Sequence, residues 1–176
     1  IVLLDVMMPV MDGFTACRLL KEDDDTRFIP VLIMTALDQV EDRIKGIEAG
    51  ADDFLTKPHD PGELMARIQT ALKLKRAMEE ANIDPRRYPI RAVLSVISEA
   101  KSTLLDPAGF ASTVSSYYQE VVLRVYERYQ GLLSQSKALD FDDLLMLAAH
   151  LFQRFQDTLE RYRSRYVHLL IDELQD

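Results

Sequence analysis

A carboxylate, a hydroxyl and an ammonium stand at the ends of three short apolar runs. Asp5 closes Ile1–Asp5, Thr35 lies at the end of Ile29–Ala36, and Lys57 closes Ala51–Lys57. Such a trio suits phosphoryl transfer: Asp5 is the candidate nucleophile, Thr35 can hydrogen-bond a phosphoryl oxygen, and Lys57 can neutralise charge there. A further acidic pair, Asp172-Glu173, follows the apolar run Tyr166–Ile171. Acids at a strand end suit a nucleotide-bound cation, with Asp172 positioning Mg2+ and Glu173 polarising the attacking water.

The elements that must position the first trio are read from hydrophobic periodicity. The three apolar runs are separated by helix-like stretches at Gly13–Glu22 and Glu41–Ala49, and a third amphipathic stretch follows at Glu63–Glu80. Strand–helix alternation of this kind predicts a parallel sheet covered by helices on both faces. Ligands bind such sheets at the carboxyl ends of the strands, where Asp5, Thr35 and Lys57 would converge.

The pattern changes around Glu79–Pro89, where Pro85 and Pro89 break the periodicity and mark a junction. Beyond it the chain reads as mostly helical. Asp106-Pro107 is a cap followed by a first turn, with Val114, Tyr117, Tyr118, Val121, Val125 and Leu132 following at helical spacing. Asp140 starts another helix, with Leu144, Leu145, Ala148, Leu151 and Phe152 along one face, and Tyr166–Ile171 is the last strand expected, with His168 a plain strand residue.

Composition narrows the function classes. The chain has 176 residues, a 48% apolar content and a formal charge of −8, enough for a real core but no basic surface for gripping DNA. No apolar run approaches the length of a membrane span, and no signal peptide is visible. The single Cys17 excludes an internal disulfide, fits a reducing cytoplasmic setting and reads as a buried helix residue. The chain starts at Ile1 rather than Met, inside a strand, and so reads as a piece of something longer.

Asp5-Val-Met-Met-Pro9-x-Met-Asp12-Gly13, Met34-Thr35-Ala36 and Lys57-Pro58 together resemble the signatures of response-regulator receiver domains, closest to those of diguanylate-cyclase response regulators. The resemblance covers about residues 1–80. It implies a flavodoxin-like α/β part lacking its first two strands, with Asp5 accepting a phosphoryl group from a histidine kinase or phosphotransfer protein. It also implies that Thr35 and Lys57 contact that group, that the backbone carbonyl of Met7 and Asp5 itself bind Mg2+, that Phe54 is the switch aromatic, and that Lys57-Pro58 is cis. The family's acidic pair at the end of its first strand has no counterpart here, so Asp5 is expected to phosphorylate poorly. Ile1–Leu4 is expected to be an unpaired edge open to self-association.

Arg91-Ala-Val-Leu-Ser-Val-Ile-Ser98, Ala138-Leu-Asp-Phe-Asp-Asp-Leu-Leu145 and Leu170-Ile-Asp-Glu-Leu-Gln-Asp176 are similar, in order, to the UvrD/PcrA/Rep superfamily 1 helicases. That resemblance implies that residues 81–176 are an accessory helical region ending in one RecA-type strand. Asp172 and Glu173 would form its Walker B pair, Gln175 would link nucleotide state to DNA, and ATP and DNA would be its ligands. Leu174 departs from the aromatic usual there. No Gly-x-x-x-x-Gly-Lys-Ser/Thr occurs among the six glycines, so the phosphate cradle of an ATPase is missing and helicase activity from this chain is not expected.

Three functional expectations follow: a phosphoacceptor module with a helical tail, a helicase part that needs an ATP site from elsewhere, or a join of two genes with no working site. A further expectation is that Val167–Glu173 docks parallel to Ile1–Asp5 and brings Asp172 and Glu173 beside Asp5.

Overall fold

The computed structural model describes residues 1–36, 40–166 and 168. Asp172, Glu173 and Gln175 lie outside the described residues, as does nearly all of the expected final strand and its proposed docking on Ile1–Asp5.

The N-terminal part is a three-stranded parallel sheet in the order β1 (Val2–Asp5), β2 (Val31–Thr35), β3 (Asp53–Thr56). Its register pairs Leu4 with Ile33 and Ile33 with Phe54. Because side chains alternate along a strand, these residues line one face together. On that face lie α1 (Gly13–Glu22) and the start of the loop after α2 (Val40–Glu48), contributing Phe14, Cys17, Ala49 and Ala51 to one core. β2 has a neighbour on each side and apolar residues pointing both ways, so Val31, Leu32 and Ile33 are all buried. β1 pairs only with β2 among the described residues, and Leu3 is 39% exposed on its outer side.

Helix α1 starts where the sequence says it should. The Asp12 carboxylate accepts hydrogen bonds from the Thr15 N–H and hydroxyl, both at 2.9 Å, and closes the first turn. Gly13 is required there for space: a Cβ would lie 2.3 Å from the Asp5 carbonyl oxygen, which is backbone and cannot step aside.

Helix α3 (Pro61–Glu80) belongs to both parts. Near its start, Arg67 reaches back to Asp53 of β3 at 3.0 Å. From Leu74 on, its buried residues Leu74, Ala77 and Met78 enter a second core with α4 (Ile90–Ser102) and α6 (Tyr117–Gln135). Val93, Val122, Val125, Tyr126 and Tyr129 are fully enclosed in that core. Burying each such side chain is worth about 1.5–3 kcal/mol before entropy is charged against it.

Two helical expectations are corrected here. The spacing from Asp106 to Leu132 does not form one helix: α5 (Pro107–Ala111) stops, and α6 begins afresh with Ser116 as its cap. The Ser116 hydroxyl accepts from the Gln119 N–H, while the Gln119 side chain takes the Ser115 N–H and hydroxyl. Those local bonds outcompete continuation of the helix, and Val114 falls in the gap. In α7 (Phe141–Arg154) the expected apolar face is the outer one. Leu144, Leu145 and Leu151 are exposed, and Asp143 and Met146 are buried instead. Helix α8 (Gln156–Arg165) follows and buries no side chain completely.

Candidate functional site

Parallel strands place their carboxyl ends on one edge, and the sequence puts Asp5, Thr35 and Lys57 at those ends. Asp5 is the last residue of β1, Thr35 the last of β2, and Lys57 the first residue beyond β3. The ladder continues past the strands: the Val6 N–H donates to the Met34 carbonyl at 3.1 Å, and the Lys57 N–H to the Thr35 carbonyl at 2.7 Å. Lys57-Pro58 is cis, as expected.

The Lys57 ammonium pairs directly with Asp5 Oδ2, spanning the width of the sheet. The other carboxylate oxygen, Oδ1, accepts the Met7 N–H at 3.0 Å. The hydrogen bond from Lys57, then that from Met7, hold the Asp5 carboxyl below the usual carboxylate range. Asp5 is therefore ionised at neutral pH, and about a third of its side chain is open to solvent. Thr35 is buried at the end of the middle strand, between its two partners in strand order. A carboxylate, an ammonium and a hydroxyl thus share one sheet edge.

Beside this edge runs a loop of uncommon backbone. Val10 has φ of +73° and is fully exposed, a left-handed conformation that a β-branched residue adopts only at a cost. Phe54 sits on β3 and turns its ring inward, against Gly46 of α2 and Phe14 of α1. A Cβ on Gly46 would meet the ring at 2.3 Å, so ring and glycine are fitted to one another.

The fit to a divalent cation is poor. Mg2+ takes six oxygens in near-ideal octahedral geometry and relies on one or two carboxylates with phosphate oxygens and water. Here Asp5 is the carboxylate at the edge, and both its oxygens are engaged. Asp12, the nearest acid in sequence, is used as a helix cap. Among the described residues, no group of three His, Cys, Asp or Glu side chains converges to hold a metal. The described residues alone do not build a Mg2+ site.

Sequence reading missed a second polar centre in the helical part. Lys101 of α4 is buried with Asp140 and Asp143 at the start of α7, at 2.6 and 2.9 Å. The Tyr129 hydroxyl donates to Asp140 at 2.8 Å and the Gln130 amide to Asp143 at 3.1 Å. Asp140 and Asp143 also close a capping box on α7. The signal available in sequence was a lysine in the last turn of an apolar-periodic helix, which reads as a solvated end.

Comparison with known proteins finds two kinds of likeness. Residues 1–69 match the response regulator receiver domain. The chain is 58% identical over 80 residues to the response regulator PleD of Caulobacter vibrioides, covering 46% of this chain and 18% of that protein. It is 41% identical over 103 residues to the ATP-dependent DNA helicase PcrA of Leuconostoc citreum, covering 58% of this chain and 14% of that protein. The chain therefore spans less than a fifth of either relative. Among solved structures it resembles the receiver domain of a sensor histidine kinase from Pseudomonas aeruginosa PAO1, described with a magnesium ion coordinated in its active site cleft. That likeness is 34% identical, with a TM-score of 0.36, over 38% of this chain and 55% of the other. Among the described residues no helix is long and apolar enough to cross a membrane.

Proposed function

We propose that Asp5 is a phosphoacceptor, and that this chain carries the receiving end of a phosphorelay supplied by a histidine kinase or phosphotransfer protein in the cytoplasm. The observation that carries this reading is the Asp5–Lys57 pair at the carboxyl edge of the sheet. Asp5 Oδ attacks the phosphorus of a phosphohistidine, the P–N bond breaks, and its electron pair stays on the imidazole, which takes up a proton. The product is an acyl phosphate on Asp5. Lys57 leaves the carboxylate oxygen as it becomes bonded to phosphorus and turns to the new phosphoryl oxygens, with the Thr35 hydroxyl as a further partner. Phe54 is the residue through which occupancy of the edge would be felt on α2.

The test is intact mass after incubation with acetyl phosphate, with and without Mg2+. A slow gain of one phosphoryl group, abolished in Asp5→Asn, is expected. No gain in either condition would leave the alternative reading, a join of two genes with an inherited motif and no working site.

For the remainder of the chain, similarity to PcrA supports descent from the helical region and Walker B strand of a DNA helicase. In that reading Asp172 holds the nucleotide-bound Mg2+, Glu173 is the general base and Gln175 relays nucleotide state to DNA. With no Gly-x-x-x-x-Gly-Lys-Ser/Thr in the sequence, ATP turnover would need a phosphate cradle from another polypeptide. ATP hydrolysis by the purified chain alone would overturn this.

A further inference from the structure

At the opposite edge of the sheet from Asp5, the N-terminal part and the helical part enclose a cleft of about 480 Å³. Its walls are set by the amino ends of the strands. Lys21 Nζ holds Asp52 at 2.6 Å and the carbonyls of Arg27 and Ile29 at 3.3 and 2.9 Å, just ahead of β2 and β3. Asp52 also accepts the Val31 N–H at 2.8 Å. This part of the wall is internally neutralised.

The facing wall is not. Arg86, in the junction, and Arg91, in the first turn of α4, both line the cleft. Arg91 donates to the Ala51 carbonyl at 3.2 Å, and Arg86 stacks on the Phe28 ring at 5.6 Å. Neither guanidinium forms an ion pair among the described residues: Asp52, the acid that lines the cleft, is taken by Lys21, and Asp84, two residues before Arg86, accepts the Arg86 backbone N–H at 2.9 Å. The cleft thus presents two guanidinium groups outside any ion pair, in a protein of formal charge −8. In a concave site with apolar walls such charge is focused rather than dispersed. Arg27 and Ser95 add polar groups to the lining, and Phe28, Ile47, Pro85 and Pro89 give it an apolar floor.

We propose that this cleft binds a small organic phosphate, its phosphoryl group forked by Arg86 and Arg91 and its apolar or aromatic body laid against Phe28 and the two prolines. Guanidinium groups match phosphate oxygens in planar, charge-assisted pairs, and the volume falls in the range of small-ligand sites. The site is separate from the phosphoacceptor edge and does not depend on it. Because its two walls come from the two parts of the chain, the ligand would also clamp them together.

Isothermal titration with phenyl phosphate, and with phenol and inorganic phosphate as half-ligands, tests this. Saturable binding of phenyl phosphate is expected, with each half-ligand weaker, unchanged in Asp5→Asn and reduced by added salt. Arg86→Gln should weaken it by about tenfold, one lost charge-assisted fork. Ala92→Glu adds a carboxylate at an exposed position of the same wall, in a first turn that tolerates acids. It should abolish binding without lowering the melting temperature, whereas Arg87→Gln, which lies on Tyr88 outside the cleft, should change nothing. Absence of saturable binding, loss of binding in Asp5→Asn, or equal binding by wild type and Arg86→Gln would overturn the proposal.

Discussion

The Lys101 ammonium lies 2.9 Å from the Asp143 carboxylate, and neither side chain has any exposure to solvent. Lys101 also faces the rings of Tyr126 and Tyr129 at 5.9 and 5.2 Å, and it pairs with Asp140. Helix α7 is thereby fastened to α4 and α6 by its first turn, through charge rather than through its leucines. Crowding by burial, and then by these acids, pushes the Tyr129 hydroxyl far above its ordinary pKa, so it remains a donor to Asp140.

Removing Lys101 alone would leave two buried carboxylates facing each other. Lys101→Met should therefore destabilise the helical part by about 3–5 kcal/mol in urea unfolding. Neutralising the acids as well, in Lys101→Met with Asp140→Asn and Asp143→Asn, should recover part of that loss. Equal stability of Lys101→Met and wild type would mean that the pair contributes nothing.

The Asp5–Lys57 pair carries a pH dependence whose sign is fixed by the direction of the shift. The folded carboxyl titrates below its unfolded value of about 3.9, so its contribution to stability is present above that value. It is lost as pH falls through the lowered folded value. Carbon-13 titration of the Asp5 carboxyl should show the lowered midpoint, and Lys57→Met should return it toward the ordinary one. An unchanged midpoint in Lys57→Met would assign the shift to the Met7 N–H instead.

Much of the N-terminal part was legible in sequence because its rules are local. The helix-like stretch Gly13–Glu22 and the three apolar runs ending near Asp5, Thr35 and Lys57 were read from periodicity alone. Asp140 and Asp143 were legible as a helix start for the same reason. Their second role was not, because Lys101 is 39 residues away from Asp140 and is brought to it only by packing of α4 on α7. The cleft at the amino edge was hidden likewise, being assembled from α1, the loops before β2 and β3, the junction and α4. The α7 leucines failed differently: periodicity identifies an apolar face but not which face a particular chain covers.

Cys17 tests the interior of the N-terminal part. Its thiol is fully buried, donates to the Ala49 carbonyl at 3.4 Å, and has its pKa pushed up to about 11 by burial. The neutral form is favoured in the fold, so this group's contribution is present below the unfolded thiol value of about 8.5. It fades as pH rises toward the folded one. Iodoacetamide should leave Cys17 unmodified at pH 8 in the native protein and alkylate it quickly in denaturant. Rapid native alkylation would show that the sheet and α1 open readily.

The contact of Phe54 with Gly46 makes a last prediction, which bears on the proposed switch role of Phe54. A methyl at residue 46 would meet the Phe54 ring at 2.3 Å, and Phe14 closes the same space at 3.2 Å. The ring cannot move further in, so Gly46→Ala must swing it outward or shift α2, at about 1–3 kcal/mol. Phe54→Leu shortens the offending group, and the double variant Gly46→Ala/Phe54→Leu should be more stable than Gly46→Ala alone. A double-mutant cycle by thermal unfolding reads this directly: a coupling energy near zero would mean that Phe54 does not occupy the inward position, and with it would go the assignment of this residue to signalling between Asp5 and α2.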